Sequence, residues 1–171
     1  MGRLTGKVAI ITGASSGFGR GTALAFAAEG CDLVITARRV QKLQEVVDTC
    51  KMLGSHAVYY AGDTQEENTA IETVKLAIKT FGKVDILINN AGIGRTLSLT
   101  ETTMSDYDLI MNTNVRSAFA FTKAAVPDML KRHDGQIILV SSVTGIVGHA
   151  NETAYSCSKF ALRGFGQALD K

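Results

Sequence analysis

The chain has 171 residues, of which 46% are hydrophobic and 20% charged, and it contains a single proline. This composition suits one compact domain of about 100–200 residues and excludes a disordered chain. The 18 basic and 16 acidic side chains give a formal charge of +2. Because the two signs are interspersed, no nucleic-acid partner is expected.

Apolar runs and cysteines set further limits. No run approaches the roughly 18 apolar residues that span a bilayer, so no membrane partner is expected, and we find no signal peptide. The cysteines, Cys31, Cys50 and Cys157, are odd in number and widely spaced. This pattern argues against a disulfide framework and against a zinc site, and it favours a cytoplasmic location. Cys157 is expected to be a small buried side chain.

Short apolar runs alternate with longer helical stretches along the chain. Continuous apolar strands are typical of a parallel sheet that is covered by helices on both faces. The predicted strands are residues 7–12, 32–37, 56–61, 84–88 and 136–140. The predicted helices are residues 17–29, 40–53, 66–81, 105 to about 132, and about 155 onwards. With right-handed crossovers, these elements predict a doubly wound α/β fold of the Rossmann type.

Glycine and proline mark helix boundaries. Gly30, Gly54 and Gly82 each follow a predicted helix, where a left-handed residue ends the helix. Pro127 removes one hydrogen bond from the stretch 105–132, which predicts a kink or a break between two helices nearby. We expect residues 1–171 to form a single domain that is truncated after the helix following the fifth strand, which leaves that strand's edge open.

A glycine-rich turn ends the first strand and opens directly into a helix. Glycines allow the backbone to approach a pyrophosphate, and the free N–H groups of the helix attract its charge. The spacing Gly-x-x-x-Gly-x-Gly differs from Gly-x-Gly-x-x-Gly, and an ordinary strand-to-helix turn is the alternative. The residues predicted to bind a dinucleotide here are Gly13, Ser15, Ser16, Gly17, Phe18 and Gly19.

Two arginines follow the second strand. An acidic residue at this position would hold a ribose 2′-hydroxyl, whereas arginine accepts a 2′-phosphate through paired hydrogen bonds. Arg38 and Arg39 stand there, and Asp32 is at the wrong end of the strand. We therefore expect NADP(H) to be preferred over NAD(H), unless the two arginines are only a solvated pair at a helix entry.

Tyr155 and Lys159 are four residues apart at the start of the last predicted helix, so they share one helix face. An ammonium near a phenol favours the phenolate, which makes Tyr155 a candidate acid or base. Ser141 and Ser142 end the fifth strand, and residues 89–92 end the fourth. Ligands of open α/β sheets bind outside the carboxyl ends of the strands, so these groups are predicted to face one crevice.

Together these motifs resemble the classical short-chain dehydrogenase/reductase family over essentially the whole chain. Residues 12–19 match its Thr-Gly-x-x-x-Gly-x-Gly motif and residues 89–92 its Asn-Asn-Ala-Gly motif. The family's catalytic tetrad falls on Asn114, Ser142, Tyr155 and Lys159. The resemblance also implies cofactor contacts at Asp63 beside the adenine, at Thr113 near the nicotinamide half, and at Thr64, Asn90, Ala91, Gly92, Tyr155 and Lys159.

The resemblance implies reversible hydride transfer between NADP(H) and a small-molecule carbonyl or secondary alcohol. Tyr155 would donate or remove the proton, and Ser142 would hydrogen-bond the same oxygen. Lys159 would favour the phenolate and hold the nicotinamide ribose, and Asn114 would support a water leading to solvent.

Other functions and partners stay open beside this expectation. The alternatives are a non-catalytic NADP(H)-binding module or an inactive truncated fragment, with an epimerase or dehydratase as a weaker option. The resemblance also implies a homodimer or homotetramer built through residues 115–132 and 155–171. The substrate stays open, because the family's two further strands and substrate lid are absent from these residues.

Overall fold

Five parallel strands form the centre of the molecule, in the order β3-β2-β1-β4-β5. The structure is a computed structural model that describes residues 2–169. The strands are β1 (Val8–Thr12), β2 (Asp32–Ala37), β3 (Ala57–Ala61), β4 (Ile86–Asn89) and β5 (Gln136–Leu139). Their ends differ from the predicted ends by at most two residues, and the predicted doubly wound parallel sheet is confirmed.

Every strand is followed by one or two helices. They are α1 (Gly17–Ala28), α2 (Val40–Met52), α3 (Glu67–Phe81), α4 (Met104–Met111), α5 (Ser117–Arg132) and α6 (Thr153–Leu169). One π-helical turn, Asn112–Arg116, lies between α4 and α5, and one 3-10 turn, Val143–Gly145, follows β5. The last helix was predicted to reach residue 171, and residues 170–171 lie outside the described part. No helix within residues 2–169 is long and apolar enough to cross a membrane.

Alternate residues of the central strands enter two separate hydrophobic cores. Ala9 and Ile11 of β1 pack with α1 and α2 on one face of the sheet, and Ile10 packs with α3 and α5 on the other. Because both faces are covered, the central strands are apolar throughout, as predicted. The edge strand β5 differs from this expectation: Gln136 is exposed, and Ile137–Leu139 are only partly buried.

The predicted helix 105–132 is continuous and contains a π-helical turn at residues 112–116, so the predicted alternative of a break near Pro127 is wrong. Helix α5 continues through Pro127 as one element. Proline removes only one hydrogen bond of the helix, and Phe121 and Ala125 hold α5 in the core, where both are fully buried. Gly30, Gly54 and Gly82 have φ values of 79°, 89° and 82°, which confirms their left-handed conformation.

Two of the three cysteines are buried. Burial raises the pKa of the Cys31 thiol to about 12 and that of Cys50 to about 11, so both stay protonated near neutral pH. The expectation that Cys157 is buried is wrong, because its side chain is exposed. It lies two residues after Tyr155, which places it on the opposite, solvent-facing side of α6.

A buried carboxylate anchors the sheet at the amino ends of the strands. The side chain of Asp85 is 2% exposed, and it accepts hydrogen bonds from Val8 N at 2.8 Å, Lys83 Nζ at 2.7 Å and Arg132 at 3.1 Å. Burial opposes ionisation, but the bonds from Lys83 and Val8 outweigh it and lower the pKa of Asp85. These contacts join β1 and the start of β4 to the end of α5.

We expect Asp85→Asn to lower the free energy of unfolding by about 3 kcal/mol, because it leaves Lys83 and Arg132 without their buried partner. The folded-state pKa of Asp85 is lowered, so its stabilisation is complete above the unfolded value of about 3.9 and is lost as pH falls through the folded value. Urea denaturation of both proteins between pH 7 and pH 2 measures this. A difference that does not shrink below about pH 4 contradicts the assignment.

Candidate functional site

The sheet contains a point where the direction of chain winding reverses. Strand β1 pairs with β2 on one side and with β4 on the other. The chain segments that leave β1 and β4 therefore run to opposite faces of the sheet, which opens a crevice outside their carboxyl ends. The predicted glycine-rich turn and the Asn-Asn-Ala-Gly segment both border this crevice.

The hydroxyl of Thr12 joins these two segments. Thr12 Oγ1 accepts hydrogen bonds from the backbone N–H of Asn90 at 3.0 Å and of Ala91 at 2.9 Å. In return, Asn90 Nδ2 donates to the carbonyl oxygen of Thr12 at 2.9 Å. The Asn90 side chain therefore fixes the loop, and it does not line the cavity described below.

Close backbone packing explains two of the glycines in the turn. Gly13 has φ of +67°, and a Cβ atom there would lie 2.8 Å from Ala91 Cα. A Cβ atom on Gly19 would lie 2.5 Å from Asn90 Nδ2. Any larger residue at either position would push the two segments apart. Phe18 lies in the same turn, is 87% exposed and does not line the cavity.

A cavity of about 590 Å³ lies between the glycine-rich turn, the ends of β2 and β3 and the loop after β4. Ten of the predicted residues line it: Gly13, Ser15, Ser16, Arg38, Arg39, Asp63, Thr64, Ala91, Gly92 and Thr113. The predicted residues that do not line it are Gly17, Phe18, Gly19, Asn90, Asn114, Ser142, Tyr155 and Lys159. Lining residues that the sequence did not indicate are Ala37, Gly62, Gln65, Ile93, Gly94, Arg95 and Leu109.

The two arginines after β2 make different contacts. Arg39 donates hydrogen bonds to the hydroxyls of Ser15 at 2.9 Å and Ser16 at 2.7 Å, which draws its guanidinium over the glycine-rich turn. Arg38 is mostly exposed and lies 3.8 Å from a carboxylate oxygen of Asp63. The other Asp63 oxygen accepts the backbone N–H of Gln65 at 3.0 Å. This end of the cavity therefore holds two guanidinium groups and one carboxylate.

Tyr155 and Lys159 meet on one face of α6, as their spacing predicts. Lys159 Nζ lies 5.5 Å from the centre of the Tyr155 ring and donates a hydrogen bond to Val140 O at 2.9 Å. A Cβ atom on Gly94 would lie 3.2 Å from the Tyr155 ring, and one on Gly92 would lie 3.4 Å from Lys159 Nζ. Because both glycines line the cavity, the tyrosine and lysine stand directly behind its wall.

Burial changes the acidity of the lysine. Lys159 is 4% exposed, and burial lowers the pKa of its ammonium. Tyr155 and Lys159 therefore bring together two titratable groups, a phenol and a buried ammonium, of the kind that serve in proton transfer.

Asn114 lies in the π-helical turn and is buried. Its Oδ1 accepts the N–H of Ile93 at 2.8 Å, and its Nδ2 donates to Ile93 O and to Ser158 Oγ, both at 2.9 Å. Both Nδ2 hydrogens and one lone pair of Oδ1 are thus used in fixing the loop after β4 against α6. Thr113, in the same turn, lines the cavity and donates its hydroxyl to Leu109 O at 2.7 Å.

Ser142 stands apart from the other predicted catalytic residues. Its hydroxyl accepts the backbone N–H of Thr144 at 3.3 Å, and it is not hydrogen-bonded to Tyr155 among residues 2–169. It lines a larger groove of about 1040 Å³ beside β5, between α5 and α6. The neighbouring Ser141 donates to Lys159 O at 3.1 Å, so of these two serines only Ser142 has a hydroxyl proton without an acceptor in the described part.

An ion pair that the sequence did not indicate borders the cavity. Arg95 pairs with Asp106, whose carboxylate also accepts the side-chain and backbone hydrogen bonds of Thr103 at the start of α4. The hydrogen bonds from Thr103, together with the charge of Arg95, lower the pKa of Asp106. No motif or spacing connects Arg95 with Asp106, so only the folded chain identifies this contact.

Comparison with known proteins identifies the family. A family model described as short chain dehydrogenase matches residues 7–171. The chain belongs to the short chain dehydrogenase family. An uncharacterised oxidoreductase of Thermotoga maritima is 40% identical over 164 residues, covering 96% of this chain and 64% of that protein. The 3-oxoacyl-[acyl-carrier-protein] reductase of the same organism is 36% identical, covering 99% of this chain and 69% of that protein.

A solved structure of the family has the same fold. NAD+-bound xylitol dehydrogenase superposes with a TM-score of 0.93 at 32% identity, covering 98% of this chain and 66% of that one. The chain therefore spans about two thirds of the length of these relatives. The resemblance to short-chain dehydrogenases that the motifs indicated is confirmed.

We expect Thr12→Val to lower the free energy of unfolding by about 2 kcal/mol, because it removes the acceptor of two N–H groups without changing the side-chain volume. Thr12→Ser keeps the hydroxyl and serves as the control. Chemical denaturation of the three proteins measures the difference. Equal stability of the valine and serine variants contradicts the joining role of the Thr12 hydroxyl.

Proposed function

We propose that this chain carries the cofactor-binding and proton-transfer parts of an NADP(H)-dependent oxidoreductase that interconverts a carbonyl compound and a secondary alcohol. The observation that carries the proposal is the position of Tyr155 and buried Lys159 behind Gly92 and Gly94, which line the cavity at the carboxyl ends of the strands. Proton-transfer groups and a nucleotide-sized cavity thus share one wall.

The residues around the cavity fit a dinucleotide. Ser15 and Ser16 line the cavity immediately before α1, so a pyrophosphate in the cavity can approach the N–H groups at the start of that helix. The α1 helix has no acidic residue in its first turn and no side-chain cap on its first N–H groups. These free donors and the helix dipole favour a bound anion.

The arginines support a preference for NADP(H). Arg38 is 71% exposed at the cavity, and its nearest carboxylate, Asp63, is at 3.8 Å, which is too long for a hydrogen bond. The hydrogen-bond partners of Arg39 within the described residues are the two neutral hydroxyls of Ser15 and Ser16. Both guanidinium groups can therefore donate hydrogen bonds to a 2′-phosphate. The xylitol dehydrogenase relative binds NAD+, so we propose this preference for the present chain alone.

Four side chains have roles in the proposed reaction: Tyr155, Ser142, Lys159 and Asn114. The bound nicotinamide would supply or accept the hydride. Tyr155 would donate its proton to the oxygen of the substrate during reduction and remove it during oxidation, with Ser142 as a second hydrogen-bond donor to that oxygen. Lys159 would hold the ribose hydroxyls. Asn114 would hold the loop at Ile93 in place and support a water next to the lysine.

Aromatic packing supports the proposed self-association. Phe119 of α5 is 56% exposed and contacts Phe165 of α6, with ring centres 5.4 Å apart. Phe165 is half-buried, and an exposed ring packed on it across two helices favours burial against a second copy. We propose a homodimer or homotetramer that uses this face of α5 and α6.

We expect Tyr155→Phe to bind NADPH with unchanged affinity and to lower kcat by roughly 10²–10⁴-fold, because only the proton donor is removed. NADPH oxidation with a panel of ketones and aldehydes measures turnover, and NADPH fluorescence measures binding. Undiminished turnover contradicts the assignment of Tyr155. NADPH binding without turnover in the wild-type chain favours a nucleotide-binding module instead.

We expect Arg38→Ala to weaken NADPH binding by roughly 10–100-fold and to leave NADH binding unchanged, because it removes a charge-assisted bond of about 1.5–3 kcal/mol to the 2′-phosphate. Lys42→Ala is the matched control, since it removes a cation from the adjacent helix whose ion pair is with Glu45. Fluorescence titrations of both nucleotides measure the ratio. A parallel loss of NADH affinity contradicts the proposed 2′-phosphate contact.

A further inference from the structure

The hydroxyl of Ser158 connects two parts of the site that are distant in sequence. Ser158 Oγ accepts a hydrogen bond from Asn114 Nδ2 at 2.9 Å and donates one to the carbonyl oxygen of Tyr155 at 2.7 Å. The Ser158 side chain is fully buried. It lies on α6 one residue before Lys159, so its two bonds join the π-helical turn to the helical turn that carries both proton-transfer residues.

These two bonds are more specific than ordinary helix packing. A serine within a helix commonly bonds back to a carbonyl three or four residues earlier, and this bond alone would be local. Here Ser158 Oγ also accepts a hydrogen bond from one N–H of the Asn114 amide, and the other N–H of that amide donates to Ile93 O. Removing the hydroxyl would leave a donor of Asn114 without a partner in a site where Asn114 is 1% exposed.

We infer that Ser158 is a positioning residue of the site, which couples Asn114 to the backbone of Tyr155 and so sets the position of the turn that carries Tyr155 and Lys159. This inference rests on the proposed function. The coupling acts at the end of the cavity near Gly92 and Gly94, where the Tyr155 ring and Lys159 Nζ pack. It does not reach Arg38, which lies at the β2 end.

The position of Ser158 makes the effect selective for one half of the cofactor. Loss of its hydroxyl would move the groups proposed to face the nicotinamide ribose and the substrate. The contacts proposed for the adenosine half, at Arg38 and Asp63, lie on other elements. A general loss of folding would instead weaken both halves together.

Three variants test the inference. Ser158→Ala removes the hydroxyl, whereas Ser158→Thr keeps a hydroxyl at this position. Ser156→Ala is the matched control, because Ser156 is a buried serine on the same turn of α6 whose hydroxyl has no hydrogen-bond partner among the described residues. Each variant is titrated with NADPH and with adenosine 2′,5′-bisphosphate, which lacks the nicotinamide half. The kcat, KM and pH–rate profile are measured with a carbonyl substrate that the wild type reduces.

We expect Ser158→Ala to lose roughly 10-fold in NADPH affinity and in kcat, with a displaced pH–rate profile, and to bind the bisphosphate as the wild type does. Ser158→Thr should recover most of both losses, and Ser156→Ala should match the wild type. If Ser158→Thr does not fold, as judged by thermal unfolding, Ser158→Cys is measured in its place.

Two results would overturn the inference and leave the proposed function standing. One is an NADPH affinity and a pH–rate profile that are unchanged in Ser158→Ala, and the other is an equal loss of affinity for NADPH and for the bisphosphate. A wild-type chain that binds NADPH but reduces no carbonyl contradicts the proposed activity, and the two titrations still decide the role of Ser158. A wild-type chain that binds neither nucleotide contradicts the proposed function itself, and the inference fails with it.

Discussion

The crevice depends on the two hydrogen bonds that the Thr12 hydroxyl accepts from Asn90 and Ala91. The chain leaves β1 and β4 toward opposite faces of the sheet, so without a cross-link their loops would separate. One buried hydroxyl satisfies two backbone N–H groups that would otherwise lack partners. The same closeness explains why residue 13 is glycine, since its Cβ atom would collide with Ala91. The shape of the cavity follows from this contact.

The two ends of the sheet use charge in opposite ways. At the amino ends, Asp85 is buried and paired with Lys83 and Arg132, so its charge is neutralised within the protein. At the carboxyl ends, Arg39 contacts neutral hydroxyls and Arg38 lies at 3.8 Å from its carboxylate. The amino end therefore stabilises the fold, whereas the carboxyl end holds two guanidinium groups against one nearby carboxylate and so carries a net positive charge.

Polar groups behind the cavity are held in a connected series of hydrogen bonds. Ile93, Asn114, Ser158 and the carbonyl of Tyr155 follow one another, and Lys159 is tied separately to Val140. Buried polar groups that are all satisfied rigidify a site. The π-helical turn at residues 112–116 is part of this arrangement, because it carries Asn114. A helix irregularity here coincides with a proposed functional residue, as is common for π-helical turns.

The sequence by itself determined the five parallel strands, the glycine-rich turn and the shared face of Tyr155 and Lys159. Each of these features depends on a pattern of residues that lie close together in the sequence. It did not determine that the helix takes a π-helical turn at residues 112–116 and continues through Pro127, nor that Arg95 pairs with Asp106 and Ser158 with Asn114. Those features depend on contacts between different elements of the fold, such as Asn114 in the π-helical turn with Ser158 on α6. Only tertiary packing decides which such groups meet, since packing energy outweighs local propensity.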